Sequence, residues 1–428
     1  MMAGMLALAA LAPAPVRASG FHTPDFGTRR CGMMAVVAKP DDVTAVFHNP
    51  AGLTLLSGTE VYLTAQATVA SLGFRFYDST GKLRPDHDIK PSTNWAMVPF
   101  IGIASDLGTK RLRAALAVYA PNLYGADLPA NEPSRYHLLR GFFVGVDTTA
   151  ALAFKVTDKF SVGAGVSLIY LRQSGSQYVN PGVLANPDKR FDSSAAVRAY
   201  DIKVLLSGEG WTWDWNLGVL FRPLPTLNIG ASFTSGANVR MTGPLSTSPV
   251  SASTAPEHVT QTTSMTIPFS LRGGINWEFV RNFEVAVDVS WWHYQVFQEQ
   301  VMTLSKPLKI LPGSDKPIAT PKNFGNSWNV SAGLMYRPIP VLDLMVGYQY
   351  DTSPIPTATM DVSNLNRGLQ TVSVGSRWRI TPRWRVGLAL MRSWNAPLDI
   401  QDSVLSPPTN GKGHGSMFHA SADLMYGF

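Results

Sequence analysis

Apolar and small or polar residues alternate along most of this chain with a period of two, the period of a strand and not of a helix. Between residues 283 and 291, one face carries Phe, Val, Val, Val and Trp, and the other carries Glu, Ala, Asp and Ser. The same pattern recurs at 211–221 and 328–336. A sandwich would place more Lys, Glu and Arg on its solvent face, whereas Gly, Ser, Asn and Asp suit a water-lined or crowded lumen. We therefore predict membrane-spanning strands with their apolar face toward lipid.

The alternation predicts fourteen strands, near 59–77, 94–106, 110–121, 142–156, 159–173, 200–222, 226–241, 261–278, 282–297, 327–337, 341–351, 369–380, 383–394 and 414–428. Short turns, such as 157–159 and 222–226, alternate with long polar stretches at 174–199, 242–260, 298–326, 352–368 and 395–413. Tight periplasmic turns and long external loops are typical of outer-membrane barrels. The predicted fold is therefore all-β, a 14-stranded antiparallel transmembrane β-barrel with both ends on the periplasmic side.

Aromatic residues near the predicted strand ends indicate the girdles found at membrane interfaces. They are Trp95, Tyr119, Tyr124, Trp277, Trp291, Trp292, Tyr348, Tyr350, Trp378, Trp384 and Trp394. The last predicted strand alternates up to a terminal Phe428, which resembles the sorting signal of bacterial outer-membrane proteins. We expect a multi-pass barrel of the bacterial cell outer membrane.

Composition agrees with this prediction. Only 15% of the 428 residues are charged, although 45% are hydrophobic, whereas soluble domains carry about 25% charged residues. No window approaches the roughly 20 apolar residues of a membrane helix, which excludes a polytopic helical protein. The single cysteine, Cys31, cannot form an intramolecular disulfide. The net charge is +7, but the basic residues are scattered, so we expect no nucleic-acid partner.

The N-terminal region does not follow the strand pattern. Residues 1–18 combine an apolar run with a small-residue cleavage site and predict a signal peptide, although no Lys or Arg precedes the run. A short buried helix is the alternative. Residues 19–57 contain helix-like and turn-like pieces, and we interpret them as a hatch, or plug, in the lumen, with a periplasmic tail as the alternative. Residues 58–428 would then form the barrel.

The string His48-Asn49-Pro50-Ala51-Gly52-Leu53, which follows Asp41-Asp42, resembles the hatch of the FadL/TodX family of hydrophobic-compound transporters. Other strings follow in family order: Tyr119-Ala120-Pro121, Ser134-Arg135-Tyr136-His137, residues 159–166, residues 215–220 and residues 350–356. The resemblance covers nearly the whole mature chain. It implies passive, ligand-gated uptake of long-chain fatty acids or aromatic hydrocarbons. In the family the ligand enters an apolar groove and pocket, the hatch moves, and release is lateral through the barrel wall.

The resemblance makes Asn49, Pro50, Ala51 and Gly52 the candidate hatch or gating residues, although they could form only a tight turn that anchors the plug. By the same resemblance Gly20 and Phe21 lie against the ligand pocket. Exposed apolar residues on the predicted external loop at 121–141 are candidates for the groove, with a loop mini-core as the alternative: Leu123, Tyr124, Leu128, Tyr136, Leu138 and Leu139.

Two arginines are candidates for binding a substrate carboxylate. Arg272 and Arg377 lie on the polar faces of their strands, as does Arg379, and an inward guanidinium can hold a carboxylate through two hydrogen bonds. Each could instead pair with a lumenal carboxylate such as Asp288.

Two other classes of function were weighed. A general diffusion porin is the alternative function, but it needs a charged constriction and no plug. An outer-membrane lipid enzyme needs a nucleophile with a base. His414-Gly415-Ser416 is the nearest such cluster, and no G-x-S-x-G string accompanies it. We therefore expect no enzyme, no cofactor and, with eight dispersed His, no metal site.

The expected partners are a hydrophobic small molecule, outer-membrane lipid and lipopolysaccharide, and the expected state is a monomer. Fatty acids and hydrocarbons both require mainly apolar surface, so the sequence leaves the choice open.

Overall fold

The computed structural model describes residues 25–90, 93–249, 255–309, 313–362, 365 and 367–428. These residues contain 19 strand segments, numbered β1 to β19 in chain order. Their bounds are Thr59–Phe76, Thr93–Ser105, Leu112–Asp127, Arg140–Lys155, Phe160–Val179, Ile202–Leu224, Leu227–Thr234, Ala237–Pro249, Glu257–Ile267, Ser270–Val280, Phe283–Trp292, Glu299–Leu304, Ile318–Pro321, Ser327–Ile339, Leu342–Asp351, Leu369–Arg379, Trp384–Asn395, Leu398–Ile400 and Gly411–Gly427.

Five pairs of consecutive segments each form one interrupted barrel strand: β7 with β8, β9 with β10, β11 with β12, β13 with β14, and β17 with β18. In the first pair, for example, β7 and β8 both pair with β6. The described segments therefore form fourteen antiparallel strands, as predicted. The barrel closes where β1 pairs with β19 along their whole length, from Glu60 opposite Gly427 to Phe76 opposite Gly411.

The predicted alternation of short turns and long loops is confirmed, but two external loops begin later than predicted. β5 continues to Val179 and β8 continues to Pro249, and β12 and β13 form a ladder inside the predicted loop at 298–326. These extensions rise beyond the apolar belt, so their outer faces meet water and the apolar alternation disappears. Their inner faces still pack together, with Val204 and Leu245 buried in one cluster.

The two faces of the wall follow the sequence pattern. On β11, Glu284, Ala286 and Asp288 are buried inside the barrel, whereas Val287 and Val289 are exposed on its outer surface. The girdle prediction was wrong for Tyr119 and Trp292, which are 3% and 1% exposed and belong to interior clusters. It was also wrong for Tyr124, whose ring stacks on the buried Phe143 inside the barrel. Trp292 directly follows the outward Trp291, so strand alternation turns its ring into the lumen.

Residues 25–57 fill the lumen as a hatch, and nearly all of them are buried. They form helix α1 (Thr28–Met33), helix α2 (Ala45–His48) and a 3-10 helix (Pro50–Leu55). The predicted signal peptide, Gly20 and Phe21 lie outside the described residues. Among the described residues, no helix is long and apolar enough to cross a membrane.

The remaining helical pieces lie in the external loops. They are helices α3 (Pro181–Ala185) and α4 (Ala195–Arg198), and 3-10 turns at Pro133–Tyr136, Pro187–Phe191, Tyr294–Val296 and Thr357–Thr359.

A closed barrel predicts heat-modifiable migration. Because the described strands close into a barrel through the β1–β19 pairing, we expect the unheated protein to stay folded in dodecyl sulfate and to migrate differently from the boiled protein. Electrophoresis of outer-membrane fractions with and without boiling measures this. Identical migration of the two samples would contradict the barrel.

Candidate functional site

A chain of alternating charges joins the hatch to one side of the barrel wall. We call it the latch, and its members are Lys39, Glu284, Arg29, Asp41, Arg377, Asp343 and Arg337. Within it, Arg29 of the hatch donates to Glu284 Oε2 at 2.7 Å and to Asp41 Oδ2 at 3.3 Å. Arg377 of β16 donates to Asp41 Oδ1 at 2.9 Å and, through Nε, to Asp343 Oδ2 at 3.1 Å. Asp41 is thus the hatch carboxylate shared by two guanidinium groups.

The two neighbouring hatch aspartates differ in their electrostatics. Burial alone would raise the pKa of Asp41, but Arg377 and Arg29 outweigh it and hold this pKa well below its usual range. Asp42 forms no ion pair with a guanidinium group among the described residues, and burial together with the negative charge of Asp41 raises its pKa to about 6. Asp42 instead accepts from the Thr44 backbone amide at 2.8 Å. Asp41 therefore ties the hatch to the wall, whereas Asp42 orders the turn before α2.

Polar side chains of the wall also satisfy the backbone of the hatch. Asp288 of β11 accepts from the amides of Val36 and Val37 at 2.5 and 2.9 Å. Asn216 of β6 donates to the carbonyl of Val46 at 2.8 Å. Irregular backbone can lie at membrane depth only where such partners replace water, so these contacts allow a plug without sheet structure to sit in the barrel.

Asn49 connects three parts of the molecule. Its Oδ1 accepts from the Ala51 amide and caps the 3-10 helix, with Pro50 in the first helical position. Its Nδ2 donates to the carbonyl of Val37 and to that of Val219 in the wall, each at 3.0 Å. The predicted gating string is therefore placed where hatch and wall meet.

Glycines of the wall form the surface on which this string lies. A Cβ on Gly163 or Gly218 would overlap the string, with Ala51 and Asn49 respectively as nearest neighbours. Gly52 within the string faces Pro40, which leaves no room for a side chain. Close approach of two backbones is a position that only glycine fills without displacement.

The opposite side of the hatch is apolar. Phe26, Val43, Val46, Phe47, Leu53 and Leu56 pack against inward residues of the wall, chiefly of β2, β3 and β4, in what we call the hatch cluster. In its centre the rings of Phe26 and Tyr119 lie 5.0 Å apart, and Tyr119 stacks on Phe100 at 5.4 Å. The hatch thus contacts the wall through charges on one side and through apolar rings on the other.

The wall beside the hatch cluster is irregular. The β2–β3 ladder changes register between Ala96, opposite Tyr124, and Phe100, opposite Tyr119. The β3–β4 ladder changes register between Tyr119 and Asn122. Pro121 falls in this interval and has no amide hydrogen to donate. Such bulges bend a strand and interrupt its pairing.

Above the hatch, the external part of the lumen holds a large apolar cluster, which we call the vestibule cluster. Its members come from strand ends and external loops, and include Phe74, Phe76, Leu128, Leu138, Phe143, Phe191, Trp292, Tyr294, Phe324 and Met360. These side chains pack against one another and are buried.

The predicted groove residues divide in the structure. Leu128 and Leu138 belong to the vestibule cluster, and Tyr124 packs at its edge. Tyr136 is buried, and its hydroxyl group donates a hydrogen bond to Asp201 Oδ1 at 3.0 Å. Leu123 and Leu139 are half-buried and lie outside the cluster. Leu123 and Tyr124 are strand residues of β3 rather than loop residues, and Leu128, Tyr136 and Leu138 are buried rather than exposed.

The two candidate arginines have different surroundings. Arg377 is engaged in the latch by Asp41 and Asp343. Arg272 donates to the carbonyl of Phe47 at 3.2 Å and lies 4.6 Å from the centre of that ring. Arg272 therefore contacts the hatch directly and faces the lumen between the two apolar clusters.

The sequence matches the family described as outer membrane protein transport protein (OMPP1/FadL/TodX) over residues 9–427. The chain belongs to this family. It is 23% identical to the Neisseria meningitidis serogroup B protein NMB0088, named as an outer membrane protein, over 87% of this chain and 85% of that protein.

Solved structures show the same fold. A Pseudomonas aeruginosa FadL homologue matches with a TM-score of 0.79 and 16% identity, over 96% of this chain and 100% of that chain. The P. putida toluene transporter TodX matches with a TM-score of 0.72 and 16% identity, over 95% and 99%. The monoaromatic hydrocarbon channel CymD matches with a TM-score of 0.65 and 14% identity, over 98% and 97%.

Several residues that shape the site in this FadL/TodX-family barrel were not singled out from the sequence. Arg29, Glu284 and Asp41 build the latch, and the pair of Arg29 with Glu284 joins residues 255 positions apart. The inward position of Trp292 could have been predicted from the sequence. Side chains alternate along β11, so Trp292 lies on the same face as Glu284 and Asp288.

We expect Asp41→Asn to loosen the hatch while the barrel still assembles. The substitution leaves two facing guanidinium groups without their shared carboxylate, and breaking such a buried pair costs about 3 kcal/mol. Conductance in planar lipid bilayers should therefore rise above that of the wild type, because ions pass a displaced hatch. Asp315→Asn, at an exposed external position, is the matched control and should leave the conductance unchanged. An Asp41→Asn protein with the same conductance as the wild type would contradict the proposed role of the latch.

The lowered pKa of Asp41 gives the pH dependence of the latch. A carboxylate with a depressed pKa contributes its full stability above the ordinary value of about 4, and loses it as the pH falls toward the lowered one. The conductance of the wild type should therefore stay low from pH 7 to about pH 5 and rise only in stronger acid. A rise that is complete by pH 5 would show that another group controls the hatch.

We expect Gly218→Val to displace the hatch string, because an added Cβ would overlap Asn49 and lie 2.8 Å from Pro50 Cδ. Limited trypsin digestion should then cleave the hatch at Arg29 or Arg30, which are buried in the wild type. Gly273→Val is the matched control, because a Cβ there meets no atom closer than 4.0 Å. Equal protease resistance of the two variants would refute the close approach.

Proposed function

We propose that this outer-membrane protein carries out passive, ligand-gated uptake of hydrophobic molecules, such as long-chain fatty acids or aromatic hydrocarbons. The ligand enters the vestibule cluster, the hatch moves aside, and the ligand leaves through the irregular wall formed by β2, β3 and β4. The observation that carries this proposal is that the hatch cluster contains Phe100 and Tyr119, which border the register changes of the wall. Each methylene transferred into such apolar surroundings contributes about 0.8 kcal/mol.

The asymmetry of the hatch supports movement with lateral release. Its ionic contacts are directional and hold one side to β11 and β16, whereas the apolar contacts with β2–β4 have no fixed geometry. A hydrophobic ligand can replace apolar contacts at little cost, because it offers the same kind of surface. The expected opening is therefore at the hatch cluster, next to the register changes around Pro121.

The hatch also weighs against a general diffusion porin. A porin needs a permanently open aqueous channel, whereas the hatch lies in this lumen and the vestibule above it is lined by packed apolar side chains. The relatives named toluene transporter and monoaromatic hydrocarbon channel support a route for hydrophobic compounds.

The experiment compares uptake of labelled oleate and labelled toluene in a strain that lacks the protein and in the same strain after complementation. Complementation should raise uptake of at least one of the two compounds. Equal uptake of both compounds in the two strains would overturn the proposed function.

Movement of the hatch can be tested by a reversible cross-link. Thr54 of the hatch donates to Ser161 of β5, with the two hydroxyl oxygens 3.0 Å apart, so cysteines at both positions should form a disulfide that anchors the hatch. We expect the oxidised Thr54→Cys/Ser161→Cys protein to lose uptake and to regain it after reduction. The single Ser161→Cys variant is the control and should respond to neither treatment. Wild-type uptake by the oxidised double variant would exclude a moving hatch.

A further inference from the structure

The six short turns at the periplasmic end of the barrel are rich in Lys and Arg. Nine Lys or Arg residues but only three Asp or Glu residues lie in these turns, 106–111, 155–159, 222–226, 278–282, 337–341 and 379–383. The cations are far apart in the sequence, but antiparallel pairing of successive strands brings all six turns to the end where β1 begins and β19 ends. The excess of positive charge at this end accounts for most of the net charge of +7.

Most of these cations are not paired within the protein. Arg337 and Arg379 contact Asp343 of the wall at 2.6 and 3.8 Å. Arg222 lies close enough to Lys155 for the two charges to repel one another. Seven of the nine form no ion pair with any residue that the structure describes, and we call them the basic rim: Lys110, Arg111, Lys155, Lys159, Arg222, Arg281 and Arg383.

Two of the three carboxylates in the turns bind backbone amides. Asp106 accepts from the amides of Gly58 and Gly108 at 2.8 and 2.9 Å. Glu278 accepts from the amide of Asn282 at 3.1 Å. These carboxylates stabilise the turns, and even when their charges are counted the periplasmic end of the barrel stays positive.

Each of the six turns also exposes an apolar side chain. A turn that projects into water gains nothing from such a side chain, whereas a turn at a membrane surface can bury it among acyl chains. The combination of cations with exposed apolar side chains is typical of surfaces that lie at the interface of an anionic membrane. These side chains are 41–57% exposed, with one or two in each turn: Leu107, Val156, Leu224, Phe279, Val280, Ile339, Val341 and Ile380.

Exposed aromatic rings indicate the depth of the basic rim in the membrane. Phe160, Phe221, Phe283, Tyr336 and Trp384 directly adjoin five of the turns and are 37–43% exposed on the outer surface. Aromatic rings in such belts lie at the level of the lipid headgroups. The cations of the basic rim follow within a few residues of these rings, which places them at the depth of the phosphate groups in the periplasmic leaflet.

We propose that the basic rim binds the phosphate groups of anionic phospholipids, such as phosphatidylglycerol, in the periplasmic leaflet of the outer membrane. The Lys and Arg side chains contact the phosphates, and the apolar side chains of the same turns pack among the acyl chains. An acidic periplasmic protein would match the cations but would leave these apolar side chains without a lipid partner. The proposal is independent of the uptake of hydrophobic molecules.

The test measures the preference of the barrel for an anionic lipid. The purified protein is reconstituted in phosphatidylcholine vesicles that contain a trace of spin-labelled phosphatidylglycerol or spin-labelled phosphatidylcholine. Electron paramagnetic resonance separates lipid held at the barrel surface from free lipid, and the ratio of the two association constants is the readout. In the wild type we expect phosphatidylglycerol to associate about threefold more strongly at low salt. In about 0.5 M NaCl the ratio should approach one, because salt screens the charges.

The variants assign this preference to the basic rim. Neutralising its five fully exposed members should bring the ratio close to one, in the variant Lys110→Gln/Arg111→Gln/Lys159→Gln/Arg281→Gln/Arg383→Gln. Lys110→Arg/Lys159→Arg keeps the charge and should keep the wild-type ratio. Heat-modifiable migration verifies that each variant has folded.

A matched control removes the same number of charges from the opposite end of the barrel. It replaces five exposed lysines of the external loops, in the variant Lys82→Gln/Lys189→Gln/Lys306→Gln/Lys309→Gln/Lys316→Gln. This control lowers the net charge of the protein equally and should keep the preference for phosphatidylglycerol.

Three outcomes would overturn the proposal. Equal association of the two lipids with the wild type would leave an acidic periplasmic protein as the partner of the basic rim. A threefold preference that persists after the five rim substitutions would show that other residues bind the lipid. Equal loss of the preference in the rim variant and in the external control would show an effect of net charge alone. None of these outcomes bears on the proposed uptake function, which the oleate and toluene experiment tests separately.

Discussion

The structure depends on one constraint: a plug without sheet structure must have its polar groups satisfied inside a barrel that offers little water. The wall supplies these partners from the inward positions of its strands. Asp288 accepts two hatch amides, Asn216 donates to a hatch carbonyl, and Arg377 holds Asp41. The same positions would carry few polar groups in a barrel packed only by apolar side chains. The low charge content of the chain reflects the other half of each strand, which faces lipid.

Satisfying the hatch from the wall also makes its attachment uneven. The side toward β11 and β16 is held by ion pairs that need defined distances and angles. The side toward β2, β3 and β4 is held mainly by rings and aliphatic groups, with one hydrogen bond from Arg113 to the Leu56 carbonyl. The wall beside it has interrupted pairing near Pro121. A hydrophobic molecule competes well with the second kind of contact and poorly with the first. We propose that the hatch yields on the side where the pairing of the wall is interrupted.

The sequence could predict what each strand shows on its two faces, because lipid on one side imposes a period of two. That is why the fourteen strands and the inward positions of Glu284 and Asp288 follow from the pattern of 283–291. The hydrophobic pattern does not indicate which distant segments contact one another or in which register. Arg377 and Asp41 are 336 residues apart, so their pairing requires the closed barrel. The extension of β8 to Pro249 escaped prediction because water on its outer face removes the apolar alternation.

Hydrogen–deuterium exchange of the hatch amides, with and without saturating toluene, tests the central claim most directly. The account predicts that ligand binding accelerates exchange of amides around α2 and the 3-10 helix Pro50–Leu55, which lie on the apolar side of the hatch. Amides of Val36 and Val37, bonded to Asp288, and of the barrel strands should change much less. Unchanged exchange throughout residues 25–57, in a preparation shown to bind toluene, would contradict a hatch that opens on its apolar side.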